Sequence, residues 1–214
     1  SIPGKNQISH LVRLIDDSDE FVRKEVRKHL IKVGEDAIPF LEIVARTENL
    51  KLQRIASEII QAIIPSLLVR EFRQLAQSSP SGHWSLESGV ILLQKFGYPD
   101  EQTNKLSQSL DQLAREVSTL IEDKESPEQT IKTLTHFLFF EKGFEGNKID
   151  FLDPDNTYFS RVLDKKKGLP ITLSALCIFL GQRIGLPIVG VGLPGHFIAK
   201  YESLTQPIFF DPFN

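Results

Sequence analysis

The sequence predicts an α+β fold in which a long helical part is followed by a small antiparallel sheet. Apolar residues recur at steps of three and four from Ile8 to Phe139, which is the spacing of one helix face. Alternation of apolar and polar residues, which is typical of strands, appears only after Pro187. Helices first and strands last along the chain favour segregated layers, as in α+β proteins.

Residues 1–78 are predicted to be helical throughout, with a possible HEAT-like arrangement. The helix Phe21–Val33 can be capped by Ser18 or Asp19 and ended by Gly34. A weak internal repeat, offset by about 30 residues, aligns Ile8, Leu11, Val22, Val26, Leu30 and Val33 with Ile38, Leu41, Leu52, Ala56, Ile60 and Ile63. Two helix pairs stacked in this register would form a short HEAT-like solenoid, and a plain helical bundle is the alternative.

A second domain is predicted over residues 84–214. The small and polar segment Gln77–His83 marks a loop and a boundary before it. Three helices should follow, over Leu86–Phe96, over Leu106–Glu122 and from Ser126 to Gly143.

The predicted sheet lies at the end of this domain. Its strands are expected over Pro187–Leu193, His196–Tyr201 and Pro207–Asp211. Because a sheet seldom finishes on the strand that bears a functional residue, we expect the native domain to continue past Asn214.

Composition and charge restrict the classes of partner. With 41% hydrophobic and 25% charged residues among 214, the chain has the composition of a globular protein. A formal net charge of −3 supplies no basic field for a phosphate backbone, so a nucleic-acid partner is not expected.

The sequence also predicts a cytoplasmic protein without a bound cofactor. Cys177 is the single cysteine, and the first residues lack the pattern of a secretory signal. Apolar runs such as Ile171–Leu180 are shorter than the roughly 20 residues that cross a bilayer, so no membrane partner is expected. The five histidines show no metal-ligand spacing, and no glycine-rich phosphate loop occurs.

The last quarter of the chain carries the motifs of greatest interest. A loop ending at Gly168 leads into an apolar helix that Gly185 closes, after which one strand presents His196 and a later one Asp211. Seven segments follow one another in a recognisable order: Leu86–Leu93, Phe96–Pro99, Gly143–Asn147, Asp153–Tyr158, Arg161–Leu173, Gly192–Phe197 and Asp211–Phe213.

In these segments the chain resembles the SirB-type transglutaminase-like core 2 family, of the transglutaminase-like superfamily with its papain-like fold. In that superfamily a Cys opens a helix about fifteen residues before a Gly-Ile-Pro, and His and Asp follow on neighbouring strands. Counting back from Gly185 reaches Pro170, with Thr172 and Ser174 close by. The resemblance therefore implies a retained His196–Asp211 pair beside a position that has lost its nucleophile.

Three functions remain open at this point. The first is a catalytically degenerate domain that binds a protein or peptide at the His196–Asp211 pocket. The second is a hydrolase or amide-transfer enzyme that uses Thr172, Ser174 or a water activated by His196. The third is a helical scaffold in which the cleft is vestigial. Cys177, seven residues past Pro170, is expected to be a buried hydrophobic residue with a raised pKa.

Five polar residues outside this pair match the family pattern. They are Glu87, Asn147, Asp153, Asn156 and Tyr158. Either they line the pocket, or they serve loop and helix architecture as caps and Asx turns.

Overall fold

The computed structural model describes residues 4–78, 85–98, 103–121, 126–203 and 206–214. The chain divides into two compact units, residues 1–85 and 86–214, and each is described by itself. The part of the predicted boundary at residues 79–84, and Pro99 of the predicted motif, lie outside the described residues.

The first unit is helical. Its elements are α1 (Lys5–Arg13), α2 (Glu20–Val33), a 3₁₀ turn (Gly34–Ala37), α3 (Ile38–Ala45) and α4 (Leu50–Gln77). The predicted limits of α2 are confirmed: Asp19 Oδ1 accepts a hydrogen bond from the Phe21 N–H at 2.8 Å, and Gly34 ends the helix with a φ of 74°. Asn49 caps α4 in the same way.

The core of this unit is built from buried side chains that include Leu30, Leu41 and Ile59. Helices at equivalent places in the predicted repeat contact each other, α1 with α3 and α2 with α4. Stacked helix pairs have these neighbours, but a four-helix bundle can have them too. The HEAT-like interpretation of residues 1–78 therefore remains a prediction.

One helix among the described residues, α4, is long and apolar enough to cross a membrane by length and composition. Charged and polar residues interrupt its apolar runs, so no uninterrupted apolar stretch marks it in the sequence. A core helix of a soluble protein passes the same test, and Ala56, Ile59 and Ile63 of α4 belong to the core of the first unit. The helix is weak evidence for a membrane, and the expectation of no membrane partner remains a prediction.

Five further helices lie in the described residues of the second unit. They are α5 (Leu86–Gly97), α6 (Thr103–Ser118), α7 (Pro127–Thr135), α8 (Phe159–Lys165) and α9 (Pro170–Ile184), with a π-helical turn (His136–Glu141) after α7 and a 3₁₀ turn (Pro154–Thr157) before α8. Helix α6 ends at Ser118 rather than at Glu122. The hydroxyls of Ser118 and Thr119 donate to backbone carbonyls three residues earlier, which favours a helix end.

The strands in the described part of this unit form two small sheets. In the larger, β3 (Ile188–Leu193) pairs antiparallel with β4 (His196–Tyr201), and β4 with β5 (Ile208–Phe210), as predicted within one residue at each end. In the smaller, β1 (Glu145–Gly146) pairs in parallel with β2 (Lys167–Gly168). Two-residue strands show no alternation, so the sequence analysis missed this pair.

Helix α9 lies at the centre of the second unit and packs on α6, β3 and β4. Leu176, Phe179 and Leu180 of this helix have no exposed surface. The helix begins at Pro170. Proline suits this position because the N–H that it lacks would have no partner within the helix. The helix ends at Gly185, which has a φ of 75°.

Candidate functional site

His196 and Asp211 form a hydrogen-bonded pair at one end of the larger sheet. His196 opens β4, Asp211 follows β5, and the imidazole Nε2 lies 2.8 Å from the carboxylate Oδ2. Both side chains are partly exposed, at 28% and 30%. The predicted residues are thus in contact, although fifteen positions separate them.

Asp211 is held by its own neighbours at the end of the chain. Its Oδ1 accepts a hydrogen bond from the Phe213 N–H at 3.0 Å, and its Oδ2 accepts another from the Asn214 side chain at 2.7 Å. Burial alone would raise the pKa of Asp211, but these hydrogen bonds and the one to His196 together lower it. The group is therefore a carboxylate at neutral pH.

A carboxylate at Nε2 determines the tautomer of the neutral ring. Because Asp211 can only accept, Nε2 carries the hydrogen, and Nδ1 of His196 is left as an acceptor. Within the described part of the chain, no side chain makes a hydrogen bond to Nδ1. This atom can accept a hydrogen bond from a ligand.

The pair lies beside the first turn of α9. A Cβ on Gly181 would lie 3.1 Å from Ile188, and one on Gly190 would lie 3.4 Å from Ile178, so β3 runs back along the helix. The five steps from Ile188 to Leu193 span about 17 Å, which is the rise of about eleven helical residues. Leu193, and His196 paired with it, therefore lie near Pro170.

A second contact supports this placement. A Cβ on Gly146 would lie 2.6 Å from Phe213, and Gly146 pairs with Gly168, two residues before α9. The Phe213 ring meets the His196 ring edge to face at 6.2 Å between centroids. The smaller sheet thus brings the start of α9, Phe213 and the His–Asp pair together.

The hydroxyl of Thr172 serves the helix start. Its Oγ1 accepts from the Leu169 N–H at 2.8 Å and lies 3.1 Å from both the Leu169 and Asn156 carbonyls, to one of which it donates. Thr172 is buried, and among the described residues its hydroxyl makes no hydrogen bond to His196. A capping role explains these contacts.

Ser174 and Cys177 are buried within the core around α9. Both are 0% exposed, and Ser174 Oγ has no hydrogen-bond partner among the described residues. Burial raises the pKa of the Cys177 thiol to about 12. The expectation that Cys177 is a buried hydrophobic residue with a raised pKa is confirmed.

Asn147 and Asn156 form a buried amide pair. Asn147 Nδ2 donates to Asn156 Oδ1 at 2.9 Å, and Asn147 Oδ1 accepts from the Asp150 N–H at 3.0 Å. Asn156 Nδ2 in turn donates to the Asp150 carbonyl at 2.7 Å. These bonds hold the loop Lys148–Leu152, and the two side chains act beneath the site rather than on its surface.

Asp153 and Tyr158 hold the framework around that loop. Asp153 caps the 3₁₀ turn by accepting from the Asp155 N–H at 2.9 Å and pairs with Lys165 at 3.1 Å. Tyr158 packs edge to face on Tyr98 at 5.2 Å. Within the described part of the chain, neither residue contacts His196 through a hydrogen bond or a ring contact.

Glu87 lies far from the His196–Asp211 pair, so it does not line a pocket there. Its carboxylate makes a two-point ion pair with Arg183 at 2.8 Å and accepts from Ser107 at 2.8 Å. Arg183 stands in the last turn of α9, about 20 Å along the helix from Pro170. Glu87 therefore joins α5 to α9 at the end opposite the His–Asp pair.

That opposite end also carries an open hollow of about 430 Å³. Asp111, Arg115 and Arg183 are among the residues that line it. Glu87 and Asp111 both form ion pairs with the Arg183 guanidinium.

Sequence reasoning missed an exposed apolar loop next to the site. Ile149 is 95% exposed and Leu152 89%, while Phe151 is half-exposed and meets Phe213 edge to face at 6.1 Å between centroids. The signal is three large apolar residues in the segment that follows Asn147, where the prediction concerned only the polar residues. Single apolar side chains are ordinary on a surface, whereas these three lie close together in one loop.

Metal binding finds no support in side-chain placement. Among the described residues, no group of three His, Cys, Asp or Glu side chains is arranged to hold a metal ion.

Comparisons with known proteins give distant relatives. A UPF0162 protein of Xylella fastidiosa is 28% identical over 129 residues, which cover 60% of this chain and 46% of that protein. A UPF0162 protein of Vibrio cholerae is 27% identical over 130 residues, or 60% of this chain and 48% of that protein. The human F-box only protein 21 is 29% identical over 96 residues, 43% of this chain and 15% of that protein. The chain spans about half the length of the UPF0162 relatives.

No solved structure matches the chain significantly. The transglutaminase-like core 2 model, described as transglutaminase-like superfamily, matches residues 104–214. The match includes α6 to α9, both sheets and the His196–Asp211 pair, and it covers more than half of the chain. The chain belongs to the transglutaminase-like superfamily, as a member of its core 2 family.

Proposed function

We propose that the second unit is a catalytically degenerate transglutaminase-like domain that binds a peptide or protein segment at the His196–Asp211 pair. One observation carries the proposal: His196 and Asp211 are hydrogen-bonded at the end of the sheet that we infer to lie near Pro170, where the family resemblance puts the lost nucleophile. A His–Asp pair without a nucleophile can hold a ligand without breaking a bond.

The side chains near that turn support a loss of catalysis. The Thr172 hydroxyl is engaged in the helix cap, and Ser174 is fully buried. Cys177 has a pKa of about 12 and no exposed surface, so it offers almost no thiolate at neutral pH.

The surroundings of the pair support a peptide as the ligand. The Nδ1 atom of His196 can accept a hydrogen bond, and the backbone N–H of a peptide can donate one. Next to it, the exposed loop with Ile149, Phe151 and Leu152 offers apolar surface for bulky side chains. A short segment with apolar side chains and a free backbone N–H matches both features.

An activity assay tests the catalytic part. The full chain and its His196→Ala variant are compared for amide hydrolysis and for incorporation of an amine into a glutamine-containing peptide. We expect no turnover above the uncatalysed rate from either protein. Turnover by the wild type that is abolished in His196→Ala would favour an enzyme, with a water as the attacking group.

A binding experiment tests the recognition part. Peptides are selected on the full chain from a random display library, and their affinity is measured by calorimetry. His196→Ala should weaken binding by about tenfold or more, since it removes the acceptor at the centre of the site. Phe21→Ser, on an exposed residue of the first unit, is the control and should leave affinity unchanged. The opposite pattern would support the helical scaffold.

A further inference from the structure

Asn156 has a buried side-chain amide that makes hydrogen bonds to the apolar loop and to Asn147, which also holds that loop. It is 1% exposed. Its Nδ2 lies 2.7 Å from the Asp150 carbonyl and 3.3 Å from the Phe151 carbonyl, and its Oδ1 accepts from Asn147 Nδ2 at 2.9 Å. A single side chain therefore ties down the backbone between Asp150 and Phe151.

The backbone of the same residue reaches the start of α9. The Asn156 carbonyl lies 3.1 Å from Thr172 Oγ1, which also accepts from the Leu169 N–H. Asn147 adds a second tie, since its backbone N–H donates to the Gly168 carbonyl at 3.0 Å. The apolar loop and the first turn of α9 are thus joined through Asn156 and Asn147.

This arrangement needs an amide at position 156. An aspartate there would have no hydrogen to donate and would place a buried carboxylate against two carbonyl oxygens. Alanine would remove the described partners of the Phe151 carbonyl and of the Asn147 amide, and would leave the Asp150 carbonyl only the Asp153 N–H at 3.3 Å. Neither replacement can hold the loop in its present shape.

We infer that Asn156 is a positioning residue that presents the loop Lys148–Leu152 as a preformed binding element beside His196, an inference that rests on the function proposed for that site. A loop that is fixed before binding loses little conformational entropy when a peptide is bound. Release of the loop would lower the fraction of molecules that are competent to bind.

Hydrogen exchange measures the positioning without any ligand. The Asp150 N–H donates to Asn147 Oδ1, so its exchange rate reports directly on the loop. Asn156→Asp should raise that rate by about tenfold or more, while amides of β3 and β4 keep their protection. The matched control is Asn49→Asp, because aspartate caps a helix as well as asparagine does, and it should change nothing.

Two variants of Thr172, whose hydroxyl lies against the Asn156 carbonyl, complete the test. Thr172→Val removes the hydroxyl that lies against the Asn156 carbonyl and should also raise exchange at Asp150. Thr172→Ser keeps the hydroxyl and should restore the wild-type rate. If Asn156→Asp does not fold, the two Thr172 variants test the inference on their own. Equal exchange rates at Asp150 in Thr172→Val and Thr172→Ser would overturn it.

Binding of a peptide selected on the wild type gives the functional arm. Asn156→Asp should weaken the affinity by about tenfold, in proportion to the lost competent fraction. Ile149→Ser should weaken it without altering exchange at Asp150. Unchanged exchange in Asn156→Asp, or raised exchange with unchanged affinity, would overturn the inference. If no peptide binds the wild type, the proposed function fails, and the inferred binding element fails with it, whatever the exchange rates show about the loop.

Discussion

The guanidinium of Arg183 in α9 makes two contacts with the carboxylate of Glu87 in α5, each with an N···O distance of 2.8 Å. The two side chains are 18% and 17% exposed, and Asp111 of α6 adds a third group at 2.7 Å from Arg183 Nε. One arginine therefore joins three helices of the second unit, far from the His196–Asp211 pair.

Glu87→Gln is expected to destabilise the second unit. The change leaves a partly buried guanidinium with only Asp111 as its charged partner, at a cost of about 2 kcal/mol. Urea denaturation followed by circular dichroism measures it. Glu145→Gln, which removes the exposed pair with Lys167, is the matched control and should cost less than about 1 kcal/mol. Equal losses in the two variants would contradict a special role for Glu87.

The same ion pair predicts how acid affects stability. The hydrogen bond from Arg183 lowers the pKa of Glu87 below its ordinary value of 4.5, despite an opposing effect of burial. A carboxyl group whose pKa is lowered by folding contributes stability above its unfolded pKa, and that contribution is lost as the pH falls through the folded pKa. The stability difference between wild type and Glu87→Gln should therefore be full at neutral pH and shrink as the pH falls below the ordinary value of 4.5 and through the lowered pKa of Glu87. A constant difference over this range would refute the assignment.

The parts of the fold that the sequence could predict are those with a local pattern. Strands β3 and β4 are six residues each and lie where the sequence shows strand-like alternation of apolar and other residues. Gly34 and Gly185 have positive φ at the positions where helices are predicted to end. Such patterns need only neighbouring residues, because backbone geometry repeats over short distances. The order of helix start, His196 and Asp211 was instead implied by the resemblance to the transglutaminase-like core 2 family.

The rest depends on contacts between distant residues. Glu87 and Arg183 are 96 positions apart, and either one alone looks like an ordinary helix surface residue. The parallel pair β1 and β2 involves only two residues in each strand. The buried Asn147 and Asn156 were noted as polar loop residues, but only their joint burial shows that they hold the exposed apolar loop. Packing, rather than local pattern, determines such features.

The tautomer of His196 can be checked by nuclear magnetic resonance. With Nε2–H donating to Asp211, the ring nitrogens of the neutral form should show the pattern of the Nε2–H tautomer. Asp211→Ala removes the acceptor and should give a mixture of both tautomers. The His196→Gln spectrum identifies the signals among the five histidines. A neutral wild-type ring that carries its hydrogen on Nδ1 would refute the proposed acceptor for ligands.

Cys177 should react with thiol reagents only after unfolding. Its side chain is 0% exposed, and a pKa of about 12 leaves roughly one thiolate in 10⁵ molecules at neutral pH. Absorbance of released thionitrobenzoate should rise slowly in buffer and at once in guanidinium chloride. Complete labelling of the folded protein within the mixing time would show that the thiol is open to solvent, and would reopen a catalytic role.

Gly146 and Gly192 provide a matched pair for the geometry of the site. A Cβ on Gly146 would lie 2.6 Å from the Phe213 carbonyl oxygen and ring, whereas one on Gly192 would meet nothing within 4 Å. Gly146→Ala must displace Phe213 and with it the N–H that holds Asp211, at an expected cost of about 1–3 kcal/mol. Gly192→Ala should leave stability unchanged or raise it by up to about 1 kcal/mol, because it restricts the unfolded chain. Thermal denaturation and the ring signals of His196 measure both effects, and identical behaviour of the two variants would contradict the contact between the smaller sheet and the His–Asp pair.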